Sequence, residues 1–150
     1  MERSISLIHC ADIHMDSPFR SLGYGSYSSD RRSDVKKTFE RIITLALERN
    51  VDYLLISGDL YEHDYAGRSV IGWINEQLSR LGDKICVIIP GNHDPYTEDS
   101  WYRNYSWAPN VRILSSKNPD FRDTRLPCYF YGIGFDTYRQ ELFSVTSEAE

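Results

Sequence analysis

The sequence has 150 residues, of which 41% are hydrophobic, and a formal net charge of −5 at pH 7. This length is enough for one domain with its own core, and no shift in composition divides the chain. The acidic balance excludes a surface that is basic throughout, as many nucleic-acid-binding domains have. An anionic substrate such as a phosphate ester would need a local source of positive charge, for which bound divalent cations are candidates.

The three cysteines, Cys10, Cys86 and Cys128, are odd in number and far apart in the sequence. They lack the close spacings of zinc and redox sites, which favours a reducing compartment. Cys10 and Cys86 lie in apolar runs, where a free cysteine behaves as a small buried hydrophobe. Residues 1–4 lead directly into a strand-like run, without the pattern of a signal peptide or a membrane span, so we expect a cytoplasmic protein with no membrane partner.

Apolar runs and helical periodicities alternate along the first 90 residues. Strands are predicted at residues 5–10, 52–57 and 85–89, and helices at about 34–50 and 67–81. Ser33 or Asp34 is the expected N-cap of the first helix, and Gly82 is expected to end the second. Strands alternating with helices predict a βαβαβ unit of the α/β class, with a parallel sheet whose ligands collect at the carboxyl ends of the strands.

Less regular segments surround this unit. Residues 16–34 are rich in Ser, Gly, Tyr and Arg without an apolar period, which predicts a long loop that could cover a site. An aromatic segment at 96–107 precedes short strand-like pieces at 111–114 and 129–133. The chain is treated as one unit over 1–150, in which about 144–150 form a polar tail.

All three predicted strands end in polar residues. The side chains concerned are Asp12 and His14, then Asp59, then Asn92, His93 and Asp94. Each motif alone has an ordinary alternative: a polar loop, a Gly-Asp turn, or a left-handed turn at Asn92. Their shared position at one sheet edge favours a metal site instead. Two divalent cations held by two carboxylates and neutral ligands would keep a positive field for a phosphodiester, and a metal-activated water would be the nucleophile.

The residue types fit this chemistry. Asp12 and His14, two residues apart, point to the same side of an extended segment, and Asp59 after Gly58 has two oxygens with which to bridge two cations. The amide oxygen of Asn92 suits Mn²⁺ or Mg²⁺.

The other polar residues have open roles. His93 is expected to face the substrate, with Asp94 holding its tautomer; the alternative is a histidine that caps the turn. His63 and Tyr96 are candidate substrate-loop residues; the alternative for His63 is a solvated loop residue. His9 is interpreted as a packed strand histidine.

The motifs Asp12-x-His14, Gly58-Asp59 and Gly91-Asn92-His93-Asp94 resemble the first three motifs of the calcineurin-like metallophosphoesterases. Residues 9–19 and 107–111 resemble the DNA-repair exonuclease branch of that family, the SbcD and YhaO type. The likeness extends over about 7–134. It implies a fold of two packed sheets flanked by helices, of which this chain is the N-terminal part, and a dinuclear site commonly loaded with Mn²⁺, with Mg²⁺ or other transition metals as alternatives.

The resemblance also implies roles for single residues. Asp12 and His14 would bind the first metal, Asp59 would bridge both, and Asn92 would bind the second. His93 would be the catalytic histidine, with Asp94 supporting it. Repair nucleases often have a further histidine three residues after the bridging aspartate, where this chain has Glu62; His63 follows it.

The sequence lacks three of the histidines that this family uses. The family uses three more histidines, two of them in a Gly-His-x-His motif, and no histidine follows His93 in this sequence. We therefore expect the chain to be a truncated part of a longer enzyme, with an incomplete ligand set and no activity alone. Apolar surface meant for the missing part of the second sheet would favour self-association.

The leading hypothesis is a metal-dependent phosphodiesterase, a DNA exonuclease or endonuclease of repair. The alternatives are a calcineurin-like phosphatase or nucleotide phosphodiesterase acting on small substrates, and a non-catalytic dimerisation or DNA-binding module. The implied partners are DNA, a second copy in a homodimer and an SMC-like ATPase subunit. The aromatic segment at 96–107 could form an interface, stack on bases, or pack its rings on the core.

Overall fold

A computed structural model of the chain describes residues 4–19 and 26–139. The elements within these ranges are, in chain order, β1 (Leu7–Cys10), α1 (Ser26–Glu48), β2 (Tyr53–Ser57), α2 (Arg68–Ser79), β3 (Ile85–Ile89), α3 (Trp101–Asn104), β4 (Val111–Ile113), β5 (Asp120–Arg122) and β6 (Tyr129–Tyr131). No helix in this part of the chain combines the length and apolarity needed to cross a membrane.

A four-stranded parallel sheet forms the centre of the molecule, in the order β1-β2-β3-β4. Cys10 pairs with Ile56, and Ile56 pairs with Ile88, so the first three strands end at the same level. The helices α1 and α2 connect these strands, which confirms the predicted βαβαβ unit. The segments that follow the three strands therefore meet at one edge of the sheet.

The two faces of the sheet are covered differently. Alternate residues such as Leu54 and Ile56 pack against the buried faces of α1 and α2, in the larger of two apolar clusters. Their neighbours, including Tyr53 and Val87, pack on the opposite face against Phe130 of β6. There β5 and β6 form a small antiparallel sheet. The fold is thus a helix layer, a parallel sheet and a second small sheet.

The predictions for α2 and β3 are confirmed, and α2 ends before Gly82, whose φ is +64°. The prediction of a loop up to residue 34 is wrong, because α1 begins at Ser26 and includes both proposed caps. Its first turns are polar on every side and largely exposed, so they carry no apolar period that could have indicated a helix. Residues 20–25 of that loop lie outside the described residues, as do 144–150.

The aromatic segment packs its own rings on the core, as the third alternative proposed. Tyr102 is buried and stacks on Trp107 at 5.9 Å between ring centroids, and Tyr105 meets the same indole edge-on at 5.5 Å. The indole N–H of Trp101 donates to the carbonyl oxygen of Ala66 at 2.9 Å. The short helix α3 lies within this segment.

The cysteines are free. Cys86 is buried, as expected of a small hydrophobe, while Cys10 and Cys128 are half-buried. Burial raises the pKa of the Cys10 thiol to about 11. The thiol of Cys10 is therefore neutral near neutral pH.

A buried carboxylate joins the small sheet to the large one. The hydroxyl of Tyr53 donates to Oδ2 of Asp123 at 2.8 Å, and the guanidinium of Arg125 pairs with the same oxygen at 3.1 Å. Arg125 also donates to the carbonyl oxygen of Asp83. The hydrogen bond from Arg125 is the largest cause that lowers the pKa of Asp123, from its ordinary 3.8 to about 2. Folding therefore favours the ionised carboxylate.

Asp123 should contribute to stability above pH 3.8, and this contribution should disappear as pH falls towards 2, because the folded-state pKa is depressed. Asp123→Asn should lower the free energy of unfolding at neutral pH by about 1–3 kcal/mol, since it breaks hydrogen bonds of a buried carboxylate. Urea unfolding across this pH range measures both effects. Asp120→Asn, at an exposed position of the same sheet, is the control. If Asp123→Asn lost as much stability as the wild type between pH 3.8 and 2, this pH dependence could not be assigned to Asp123.

Candidate metal centre

Four of the predicted ligand and catalytic residues lie together at the carboxyl edge of the sheet: Asp12, His14, Asp59 and His93. His14 Nε2 is 3.8 Å from Oδ1 of Asp12 and 3.8 Å from Oδ2 of Asp59. His14, Asp59 and His93 each offer a ligand atom within 4.8 Å of the others. Asn92, the remaining predicted ligand, is exposed in the same turn as His93. The residues brought together come from the ends of β1, β2 and β3.

The backbone of this edge is left-handed at several positions. Asp12 and His14 have φ values of 55° and 50°, and Asp59 has 55°. The extended geometry expected for Asp12 and His14 is therefore wrong, although their side chains still converge. Backbone pairing continues here, since the amide of His14 donates to the carbonyl oxygen of Asp59 at 2.8 Å. Left-handed conformations of non-glycine residues persist only where surrounding contacts determine them, and they are common in functional sites.

The turns after β2 and β3 touch through two glycines. Gly58 has a φ of +84°, and a Cβ built on it would lie 3.1 Å from the Cα of Gly91. A Cβ on Gly91 would lie 2.2 Å from Oδ1 of Asp59 and 2.6 Å from its amide nitrogen. Oδ1 of Asp59 also accepts the backbone N–H of His93 at 2.9 Å. Because neither glycine has a side chain, the two turns lie close enough for the carboxylate of Asp59 to accept the hydrogen bond of the His93 amide.

Asp94 is fully buried and holds the two turns together. Its carboxylate accepts the backbone N–H groups of Gly91 at 2.6 Å, Leu60 at 2.7 Å and Asp59 at 3.0 Å, and the hydroxyl of Tyr102 at 2.6 Å. Burial raises the pKa of Asp94 to about 6, against the effect of these hydrogen bonds.

The expected role of Asp94, holding the tautomer of His93, is therefore wrong. The chain bends at residues 92–94, and Asp94 points into the protein, where backbone amides occupy its oxygens. The carboxylate that contacts the ring of His93 is that of Glu62, whose Oε2 lies 2.9 Å from Nδ1 of His93. This hydrogen bond is the largest cause that raises the pKa of His93 above its ordinary value.

Glu62 also contacts the other histidine, with Oε1 at 2.8 Å from Nδ1 of His14. The two imidazole rings are 4.8 Å apart and nearly perpendicular, at 88°. Sequence reasoning assigned no role to Glu62. The available signal was its position three residues after Asp59, where the resemblance implies a histidine.

The other candidates lie outside this cluster. His63 Nε2 is 3.2 Å from Asp99, and its ring meets Tyr138 edge-on. Tyr96 lies under the guanidinium of Arg103. The interpretation of His9 as a packed strand histidine is wrong, because β1 is an edge strand and His9 is exposed, with Nε2 2.8 Å from the hydroxyl oxygen of Ser57.

The donor set fits a divalent cation. Carboxylate oxygens and imidazole nitrogens are ligands of Mn²⁺, Mg²⁺ and similar ions. Within the part of the chain that the structure describes, the ion pairs of Asp12 and Asp59 are with His14, and none is with a lysine or arginine. Asp12 has an open side, since 73% of its side chain is exposed. A bound divalent cation would offset the negative charge of these clustered carboxylates.

Comparison with known proteins identifies the family to which the chain belongs. The model of the calcineurin-like phosphoesterase family matches residues 5–145. The uncharacterized metallophosphoesterase YhaO of Bacillus subtilis is 30% identical over 146 residues, which cover 90% of this chain and 35% of the relative. The DNA double-strand break repair protein Mre11 of Methanosarcina mazei is 34% identical over 106 residues, 67% of this chain and 16% of the relative. The chain thus spans about a third or less of these two proteins.

Gly91→Ala should destabilise the chain by about 1–3 kcal/mol, because the new methyl group collides with the carboxylate and backbone of Asp59. It should also weaken Mn²⁺ binding, since Asp59 must move. Urea unfolding and calorimetric titration with Mn²⁺ measure the two effects.

Gly67→Ala is the matched control, because nothing lies within 4 Å of the Cβ built there. Equal losses of stability and of Mn²⁺ affinity in the two variants would show that the close approach of the two turns is unimportant.

Proposed function

Because the chain belongs to the calcineurin-like phosphoesterase family, we propose that it carries the metal-binding part of a phosphodiesterase that hydrolyses DNA in double-strand break repair. The observation that supports this most directly is the cluster of Asp12, His14, Asp59 and His93 at the ends of three parallel strands. The similarity to Mre11 proteins supports DNA as the substrate. In this proposal the metal is Mn²⁺, with Mg²⁺ as an alternative.

Each residue has a distinct part in the proposal. Asp12, His14 and Asp59 would hold one ion, and Asp59 and the amide oxygen of Asn92 would hold a second. A bound divalent ion supplies Lewis-acid chemistry, lowering the pKa of a water molecule and polarising the phosphoryl group. The hydrogen bond from the backbone N–H of His93 to Asp59 fixes the position of the catalytic residue relative to the metal ligand Asp59.

His93 is the proposed catalytic residue. Its side chain is 45% exposed, so it can touch a bound phosphate, and its raised pKa favours a ring that donates hydrogen bonds. Such a ring can stabilise a phosphoryl oxygen or give a proton to the leaving oxygen. Asp94 takes no direct part in this proposal; it fixes the turns that carry Asp59 and His93.

The preference for a polymer over a small substrate rests on the similarity to the Mre11 proteins. A phosphatase or nucleotide phosphodiesterase acting on small molecules remains the competing function. The assay below separates the two.

We also propose that further ligands come from outside these 150 residues, because no histidine follows His93 and the described cluster cannot fill two coordination spheres. The isolated chain is then expected to have little activity. A cytoplasmic homodimer that works with an SMC-like ATPase is part of the same proposal, and it rests on the resemblance alone.

In the full-length natural protein with Mn²⁺, His93→Ala should reduce cleavage of DNA oligonucleotides by about 10²–10⁴-fold, because the proton donor is lost. Cleavage should also weaken with salt as phosphate contacts are screened. His9→Ala, which removes an exposed histidine outside the cluster, should leave cleavage unchanged.

Hydrolysis of bis(p-nitrophenyl) phosphate without cleavage of single- or double-stranded DNA would contradict the nuclease proposal and favour the small-substrate function. Robust Mn²⁺-dependent turnover by the isolated chain would contradict the need for outside ligands.

A further inference from the structure

One carboxylate joins two histidines that the proposed function uses differently. Glu62 places Oε1 2.8 Å from Nδ1 of His14 and Oε2 2.9 Å from Nδ1 of His93. Only 14% of its side chain is exposed. Both oxygens of the carboxylate are thus committed, one to each ring.

The backbone holds Glu62 in place from both sides. Its amide donates to the carbonyl oxygen of Met15, the residue after His14, at 3.0 Å. The amide of the next residue, His63, donates to the carbonyl oxygen of His93 at 3.0 Å. Glu62 is therefore anchored to the two segments whose histidines it contacts, and the bridge does not depend on a freely moving side chain.

The chemistry of a doubly committed carboxylate is specific. An ionised carboxylate only accepts hydrogen bonds, so each neutral ring must place its proton on Nδ1. That leaves Nε2 of each ring for other partners: its lone pair can bind a cation or, on His93, take up the proton that the ring then donates to the substrate. For His14, Nε2 is the nitrogen that lies 3.8 Å from both Asp12 and Asp59.

We propose that Glu62 is a positioning residue that fixes the Nδ1–H tautomer and the ring orientation of His14 and His93 together, so that the metal ligand and the phosphate-facing histidine are set by one group. The tautomer and metal-binding parts of this proposal rest on the contacts above; the consequence for catalysis rests on the proposed function. Glu62 also adds a third negative charge beside Asp12 and Asp59, which favours cation binding.

The substitution Glu62→Gln gives a sharp test. A glutamine amide has one oxygen that accepts and one nitrogen that donates, so it can accept Nδ1–H from only one of the rings. The other ring must then accept at Nδ1 and carry its proton on Nε2. Nitrogen chemical shifts of the histidines, measured by NMR in the metal-free 150-residue chain above neutral pH, report both tautomers.

The wild-type chain should show Nδ1–H for both His14 and His93, and Glu62→Gln should switch one of them. Mn²⁺ affinity, measured by calorimetric titration of the same samples, should fall by about 10–100-fold, as for other residues that orient metal ligands. Glu76→Gln, an exposed position on α2, removes the same charge as the matched control and should change neither quantity.

Two results would overturn the proposal: an Nε2–H tautomer for either ring in the wild-type chain, or a Glu62→Gln chain with unchanged tautomers and the Mn²⁺ affinity of Glu76→Gln. The first needs no variant, so it holds even if Glu62→Gln fails to fold. These readouts are independent of hydrolysis. Correct tautomers in a full-length protein that cleaves no DNA would contradict the nuclease function and leave the role of Glu62 intact.

Discussion

The arrangement at the carboxyl edge of the sheet depends on the buried carboxylate of Asp94. It accepts backbone N–H groups from the turn after β2 and from its own turn after β3, and it accepts the hydroxyl of Tyr102 from α3. A charge removed from water is costly unless its hydrogen bonds are satisfied, and here three elements satisfy them. Desolvation raises the pKa of Asp94 to about 6, although the hydrogen bonds act to lower this pKa.

The functional geometry follows from that constraint in steps. Once Asp94 draws the turns together, only glycine fits at positions 58 and 91, and the carboxylate of Asp59 reaches the amide of His93. The left-handed backbone at Asp12, His14 and Asp59 is compatible with this packing, because neighbouring strands hold each segment. Residues that hold the turns are therefore distinct from those that would touch a metal or a phosphate, although Asp94 lies directly beside His93.

Much of the fold was predictable because its signals are local or periodic. The continuous apolar run of β3 and the helical spacing of α2 gave their bounds closely, and the parallel-sheet rule brought Asp12, His14, Asp59 and His93 to one edge. The start of α1 was missed because an exposed polar helix has no apolar period. The contacts of Asp94 with the turn after β2, and of Glu62 with both histidines, were missed for another reason: they cross more than 30 residues of sequence, and left-handed φ values decide where the side chains point.

The electrostatics of the edge connect its stability to metal binding. Asp12, Asp59 and Glu62 lie around two histidines, and in the described part of the chain no lysine or arginine pairs with any of them. Mutual repulsion of these carboxylates opposes the approach of the three turns, whereas the buried hydrogen bonds of Asp94 favour it. A cation that binds only the folded arrangement stabilises it further, by a free energy that grows with the logarithm of the cation concentration. The carboxylates that would bind the metal are thus the ones that repel each other in its absence. Metal binding and the close packing of the turns therefore stabilise one another.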